Sequence, residues 1–317
     1  MGQNARLAHP ACGAVGRYRL LWAVLGALSG EPLSAQAAPP PTAQNPSPMV
    51  ERTRQHERLM PIVLAGTTRA LVGPLGKPVE LWVPPKAGRS GTVDLVIHFH
   101  GAAWLPQQAV AGLKAPTVAA VLNLGAGSGV YDRSYRDPAA YDSLVAGIQA
   151  AVREVLGTSA TIRRITLSGF SAGHGAIRQI LRHHAERIDA VLLLDGMHTS
   201  YVPEGQPLAS GSTLDTTNLT AFADYAREAV AGRRRFLVTH SEIFPGTFAS
   251  TTETADWLVV AVGVPRTPVL HWGPRGLQQL SVAQRGRFTV QGYAGNSAPD
   301  HIDQFHAMPE LLRQLWK

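Results

Sequence analysis

Apolar positions along this chain gather into short, near-continuous runs, and between them lie segments in which they recur at helical spacing. VELWVP (79–84) predicts a strand. VDLVIHFH (93–100) and VAAVLNLG (118–125) are apolar almost throughout, the pattern of strands covered on both faces. AAYDSLVAGIQAAVREVL (139–156) predicts a helix. ITLSG (165–169) ends a strand, AGHGAIRQILRHHAER (172–187) predicts a helix, and IDAVLLLDG (188–196) a strand again. Residues 220–231 and 252–262 predict helices, FLVTHS (236–241) and FTVQGY (288–293) strands, and PELLRQLW (309–316) the last helix. Such alternation predicts an α/β fold, a mostly parallel central β-sheet flanked by helices.

The first 60 residues depart from this pattern. Arg17 and Arg19 precede LLWAVLGALSG, and Ser34-Ala35-Gln36-Ala37 follows with small residues spaced as at a cleavage site. Basic, then apolar, then small is the form of a secretory signal, expected over 1–37. The apolar run is too short to span a bilayer, so no stable membrane insertion is expected once the signal is cleaved; a single N-terminal anchor is the alternative. Residues 38–60 open on APPPTAQNPSPM and predict a Pro-rich, disordered leader. No internal repeat or long linker follows, so 61–317 is expected to form one domain, exported to the periplasm or secreted. Cys12, the only cysteine, falls inside the expected signal. The processed chain would have neither disulfides nor cysteine-built metal sites.

Composition adds little against this reading. Apolar residues make up 45% and charged residues 16%, as in a chain with a sizeable core. The charge is +7, with its densest basic run at Arg233-Arg234-Arg235. No aromatic interleaving accompanies that run, so it predicts a solvated helix end or loop and no nucleic-acid partner.

The chemistry concentrates in GFSAG (169–173), which follows a β-rich run and precedes a helix. A nucleophilic serine must project from the sheet on a sharp turn. Glycines two before and two after remove the Cβ atoms that would clash there. The helix start also aims backbone N–H groups at the site. Ser171 is therefore the candidate nucleophile. HFHGAAW (98–104) ends an earlier strand in small residues, where backbone donors can approach an oxyanion. The N–H groups of Ala102 and of Ala172, the residue after the serine, are the candidate donors.

With HFHGAAW, GFSAG, a later acidic residue at a strand end and a histidine before the last helix, the chain from about residue 60 resembles the α/β-hydrolase superfamily. The resemblance implies a Ser–acid–His triad in that order. For the histidine it offers His301, in the Asp300-His301 loop, and His306 nearer the final helix; His301 is preferred. For the acid it offers Asp195 after the strand 188–195, as in some lipases, and Glu242 in FLVTHSEIF; Asp195 is preferred. The function expected is an exported serine hydrolase, a carboxylic ester hydrolase working through an acyl-enzyme. It would need no metal or organic cofactor and would act on small-molecule or polymer esters. An amidase or peptidase with the same triad, or a non-catalytic binding protein on the same fold, are the alternatives.

Three further features are ambiguous. His98-Phe99-His100 also resembles the metal-binding opening of amidohydrolases, but the other histidines are scattered; in the hydrolase reading one of the two lies beneath the oxyanion loop and orients it. Gly125-Ala126-Gly127-Ser128-Gly129 lacks the spacing of a dinucleotide or phosphate loop and predicts a cleft rim. Trp104 would line an acyl pocket or pack in the core, and Tyr131 and Tyr135 would face the same cleft.

Overall fold

A computed structural model describes residues 55–89 and 91–317. The expected signal 1–37, Cys12 and the leader as far as residue 54 lie outside the described residues. Among the described residues the strands are β1 Thr67–Val72, β2 Pro78–Val83, β3 Thr92–Phe99, β4 Thr117–Leu122, β5 Thr161–Phe170, β6 Ala190–Leu194, β7 Tyr201–Val202, β8 Thr213–Leu214, β9 Arg235–His240, β10 Thr267–Trp272, β11 Gln278–Arg285 and β12 Phe288–Tyr293. The helices are α1 Trp104–Ala111, α2 Ser128–Ser134, α3 Pro138–Leu156, α4 His174–His184, α5 Thr220–Val230, α6 Thr251–Ala261, α7 Ala298–His306 and α8 Met308–Leu315.

Ten strands form one sheet in the order β1-β2-β4-β3-β5-β6-β9-β12-β11-β10. The pairings from β4 across to β12 are all parallel, and antiparallel hairpins close both edges. The parallel strands are buried along most of their length because both faces are covered. Val93, Leu95, Ile97 and Phe99 of β3 join one core cluster, with Ile148 of α3, Ile177 of α4, Phe222 of α5 and Leu258 of α6. Val96 faces the other way, into a second cluster with Leu105 of α1, Phe305 of α7 and Leu311 of α8.

The chain runs from β3 outward to β4 and then returns past β3 to β5, so the strand order reverses between β3 and β5. A crevice opens at the carboxyl ends of strands at such a point. The loop after β3 and the GFSAG turn after β5 both lie there.

Three of the differences between the structure and the sequence reading are these. Residues 55–60 were expected to be disordered, yet His56 Nδ1 contacts Asp303 at 2.5 Å, Arg58 Nε donates to Asp303 at 2.9 Å, and the Leu59 N–H donates to His306 Nδ1 at 3.0 Å. The ordered body thus begins before residue 61. Residues 298–306, expected as a loop, form α7, started by a capping box between Ser297 and Asp300 with a proline in its first turn. Strands β1, β10 and β11 had no apolar signal: β10 is exposed at nearly every position.

Candidate active site

Strand β5 ends at Phe170, and a single 3₁₀ turn, Ser171–Gly173, leads into α4. Ser171 has φ +46, a left-handed backbone that a residue with a Cβ adopts only under constraint. Three glycines create that constraint. A Cβ on Gly169 would lie 2.9 Å from Ile177 Cδ1, and one on Gly173 would lie 2.1 Å from the carbonyl oxygen of Phe99. The third, Gly196, follows the end of β6; a Cβ there would lie 2.4 Å from the Ser171 carbonyl oxygen and 2.7 Å from its nitrogen. Sequence reasoning found the first two and missed Gly196, whose contact is made between neighbouring strand ends.

The contact of Gly173 with Phe99 brings the end of β3 directly against the serine turn. His98 is fully buried, and its Nε2–H donates to the His100 carbonyl at 2.8 Å. Its Nδ1 then accepts from Ser168 Oγ at 3.0 Å, its register neighbour on β5. Burial pulls the His98 pKa down to about 3, so the ring is neutral. His100 has φ +74 and Gly101 φ +115, a left-handed turn leading to Ala102. His100 Nδ1 meets the Tyr131 hydroxyl at 3.0 Å, and that hydroxyl also accepts from the Leu124 N–H. Both histidines are thus engaged by protein groups that fix the loop carrying Ala102, while Ala172 follows Ser171 at the helix entrance. Trp104 packs beside His306, and Tyr131 and the buried Tyr135 lie beneath the turn. None of the three lines either cavity at Ser171.

Asp195 and His301 meet. His301 Nδ1 lies 2.7 Å from Asp195 Oδ2, and the carboxylate also accepts from the Ser241 N–H at 2.8 Å, Ser241 Oγ at 2.7 Å and Thr251 Oγ1 at 2.6 Å. Asp195 is 1% exposed. Burial alone would push its carboxyl up, but the hydrogen bond and charge of His301, with the Thr251 and Ser241 donors, outweigh it and hold the group well below the usual carboxylate range. An ionised Asp195 takes the His301 Nδ1 proton as its donor and leaves Nε2 as the basic atom. The His301 ring rests on Phe170, 4.5 Å between centroids, and Phe170 stacks in turn on Phe305 at 4.9 Å.

The other candidates are directed elsewhere. Glu242 pairs with Gly295: its N–H donates to the Gly295 carbonyl at 2.9 Å, bracing the loop ahead of α7. His306 Nδ1 accepts from the Leu59 N–H. Among the described residues, His56, Asp300 and Asp303 bring their ligand atoms within 4.8 Å of one another, but Arg58 already pairs with Asp303.

Two cavities meet at Ser171. One, of about 370 Å³, is shared by Ser171, Asp195 and His301 and is walled by Ile243, Phe244, Pro245 and Phe248. The other, of about 550 Å³, is lined by Ser171, Ala172, Ser128, His174, Arg178 and Asn218, among other polar groups. His198 and Phe248 border both.

No family model and no curated protein sequence matches the chain. Among solved structures it is similar to an enterobactin esterase from Shigella flexneri, with 11% identity and a TM-score of 0.50 over 82% of this chain and 62% of that one. It is also similar to a thermostable esterase, at 14% identity and TM-score 0.48 over 79% of this chain and 62% of that one. A siderophore hydrolase from Aspergillus nidulans gives 15% identity and TM-score 0.45 over 80% and 95%. The chain spans about three fifths of the length of the first two. With the sheet order and the strand–turn–helix around Ser171, the first of these likenesses identifies the fold: the chain has the α/β-hydrolase fold.

Proposed function

We propose that the protein is an exported serine hydrolase that cleaves carboxylic esters through a Ser171–His301–Asp195 triad. The observation that carries this reading is the Asp195–His301 contact of 2.7 Å in the cavity that Ser171 also lines, with Ser171 on a left-handed turn. His301 Nε2 takes the Ser171 proton as Oγ attacks the ester carbonyl. Asp195 holds the resulting imidazolium, and the N–H groups of Ala102 and Ala172 hold the oxyanion. His301 then returns the proton to the departing alcohol. A water activated by the same nitrogen resolves the acyl-enzyme.

The chain's own groups account for each proton and charge in this sequence, so the reaction draws on no cofactor. Export rests on the basic–apolar–small order of residues 1–37. Turnover of a panel of naphthyl esters by the wild-type protein tests the reading. Ser171→Ala and His301→Ala are each expected to remove turnover while the protein stays folded by circular dichroism. Undiminished hydrolysis by Ser171→Ala would refute it, and turnover of amides in preference to esters would move the assignment to an amidase.

A further inference from the structure

Residues 56–62 run between two elements on which the triad reading depends. One is α7, which carries His301. The other is α1, which the oxyanion loop enters: the Ala102 carbonyl accepts from the Leu105 N–H at 3.3 Å. These elements touch, since a Cβ on Gly101 would lie 2.6 Å from the Phe305 ring. Their mutual placement therefore sets the base against the oxyanion donors.

The segment bonds to both. On α7, Arg58 spans one turn, its Nε donating to Asp303 Oδ1 at 2.9 Å and its Nη2 to the Pro299 carbonyl at 3.1 Å. His56 Nδ1 reaches the other oxygen of Asp303 at 2.5 Å, and the Leu59 N–H donates to His306 Nδ1 at 3.0 Å. On α1, Gln108 Oε1 accepts from the Ile62 N–H at 3.2 Å, and its Nε2 donates to the Met60 carbonyl at 3.3 Å. His306 links the two elements as well, its ring lying 5.8 Å from that of Trp104, the first residue of α1.

The side from which α7 is held matters. At 3.6 residues per turn, Asp303 and His306 lie about 200° and 140° round the helix from His301, and Phe305 only about 40°. Phe305 shares the His301 face and stacks on Phe170. Asp303 and His306 face away from it, towards the segment. The helix is thus gripped between Phe170 and residues 56–59. At nine residues it is too short to hold its shape and place without such packing. The Asp303 side chain is 2% exposed, so Arg58 pairs with a buried carboxylate.

We infer that residues 56–62 are a strap that sets the position of His301 against the oxyanion loop, with Arg58 as its positioning residue. The inference rests on the hydrolase reading and deepens it; the strap acts through α7 and α1.

The test is steady-state hydrolysis of 2-naphthyl acetate by the full chain, in wild type, Arg58→Met and Arg58→Lys. Methionine keeps an unbranched side chain and removes the donors. A displacement of His301 by up to ~1 Å predicts a fall in kcat of about ten- to a hundredfold. Acylation and deacylation both use His301, so they slow together and KM stays within about threefold of wild type. Arg58→Lys returns a cation to Asp303 and is expected to recover part of the loss. The proton NMR resonance of the His301 Nδ1–H should move or broaden in Arg58→Met and stay near its wild-type position in Arg58→Lys. A folded Arg58→Met with kcat within about twofold of wild type, whatever its melting temperature, overturns the inference. So does a fall in kcat with an unmoved Nδ1–H resonance. If Arg58→Met does not fold, Gln108→Met, which cuts the strap from α1, decides: a fall in kcat of about fivefold or more supports the inference, and a smaller one overturns it. A folded wild type that neither hydrolyses the ester nor labels with a fluorophosphonate overturns both readings. Wild-type turnover that Arg58→Met retains overturns this one alone.

Discussion

Gly196→Ala tests how the serine turn is built. The new Cβ would meet the Ser171 carbonyl oxygen at 2.4 Å, its nitrogen at 2.7 Å and its Cα at 2.9 Å. Ordinary contact begins near 3.4 Å, and every atom struck is backbone, which cannot swing aside as a side-chain end would. Relief therefore needs a shift of about 1 Å in the turn itself. A misplacement of ~1 Å at a reacting group costs on the order of 10²-fold in rate, or about 2.7 kcal/mol of transition-state stabilisation. The expected result is a fall of about a hundredfold in kcat/KM for 2-naphthyl acetate, with overpacking costing about 1–3 kcal/mol of stability. Gly147→Ala is the matched control: this glycine lies inside α3 with nothing within 4 Å of the added Cβ. It should keep full activity and gain about 1 kcal/mol, a rise of roughly 2–4 °C in Tm. Activity within threefold of wild type in Gly196→Ala would refute the account of the turn.

Asp195→Asn is expected to lower kcat by about 10⁴-fold. An amide in place of the Oδ2 atom would face the His301 Nδ1–H, and the tautomer that relieves the clash puts the proton on Nε2, where the base must be empty. Glu242→Gln should stay within a few fold of wild type, because the Glu242 carboxylate accepts from the Gly295 N–H while His301 Nδ1 is held by Asp195; steady-state kinetics on the two variants decide between the acids. Stability should fall as the pH drops from 7 to 5. His98 and His174 are lowered by burial to about 3 and His240 to about 4, so in this range they are neutral when folded and protonated when unfolded. The unfolded state then binds more protons, and each histidine costs up to about 2 kcal/mol at pH 5. Asp195 works in a lower window, its depressed pKa adding stability above ~4 that is lost only on further acidification. Urea melts at the two pH values check the sign, and a midpoint that rises on acidification would contradict it.

The site was legible in part, for physical reasons. The serine turn is local: strand, glycines and helix adjoin within a dozen residues, so spacing alone exposes Ser171. The central strands were legible because burial on both faces leaves unbroken apolar runs. The groups that set the Asp195 carboxylate were not, because Ser241 and Thr251 come from the end of β9 and the start of α6 and meet it only once β6 and β9 pair. Gly196 escaped notice for the same reason. For α7 a signal did exist, the Ser297–Pro299–Asp300 start of a helix, but nine residues with charged and aromatic positions mixed resemble a loop. Edge strand β10 left no trace, since exposed residues need no pattern.

The central claim is that Ser171 is an activated nucleophile served by His301. The most direct measurement is labelling of the protein with a fluorophosphonate, with mass spectrometry locating the adduct, in wild type and in His301→Ala. The account predicts a single adduct on Ser171 in wild type and its near loss in His301→Ala. An unlabelled wild-type protein that is folded, or labelling that persists undiminished without His301, would contradict it.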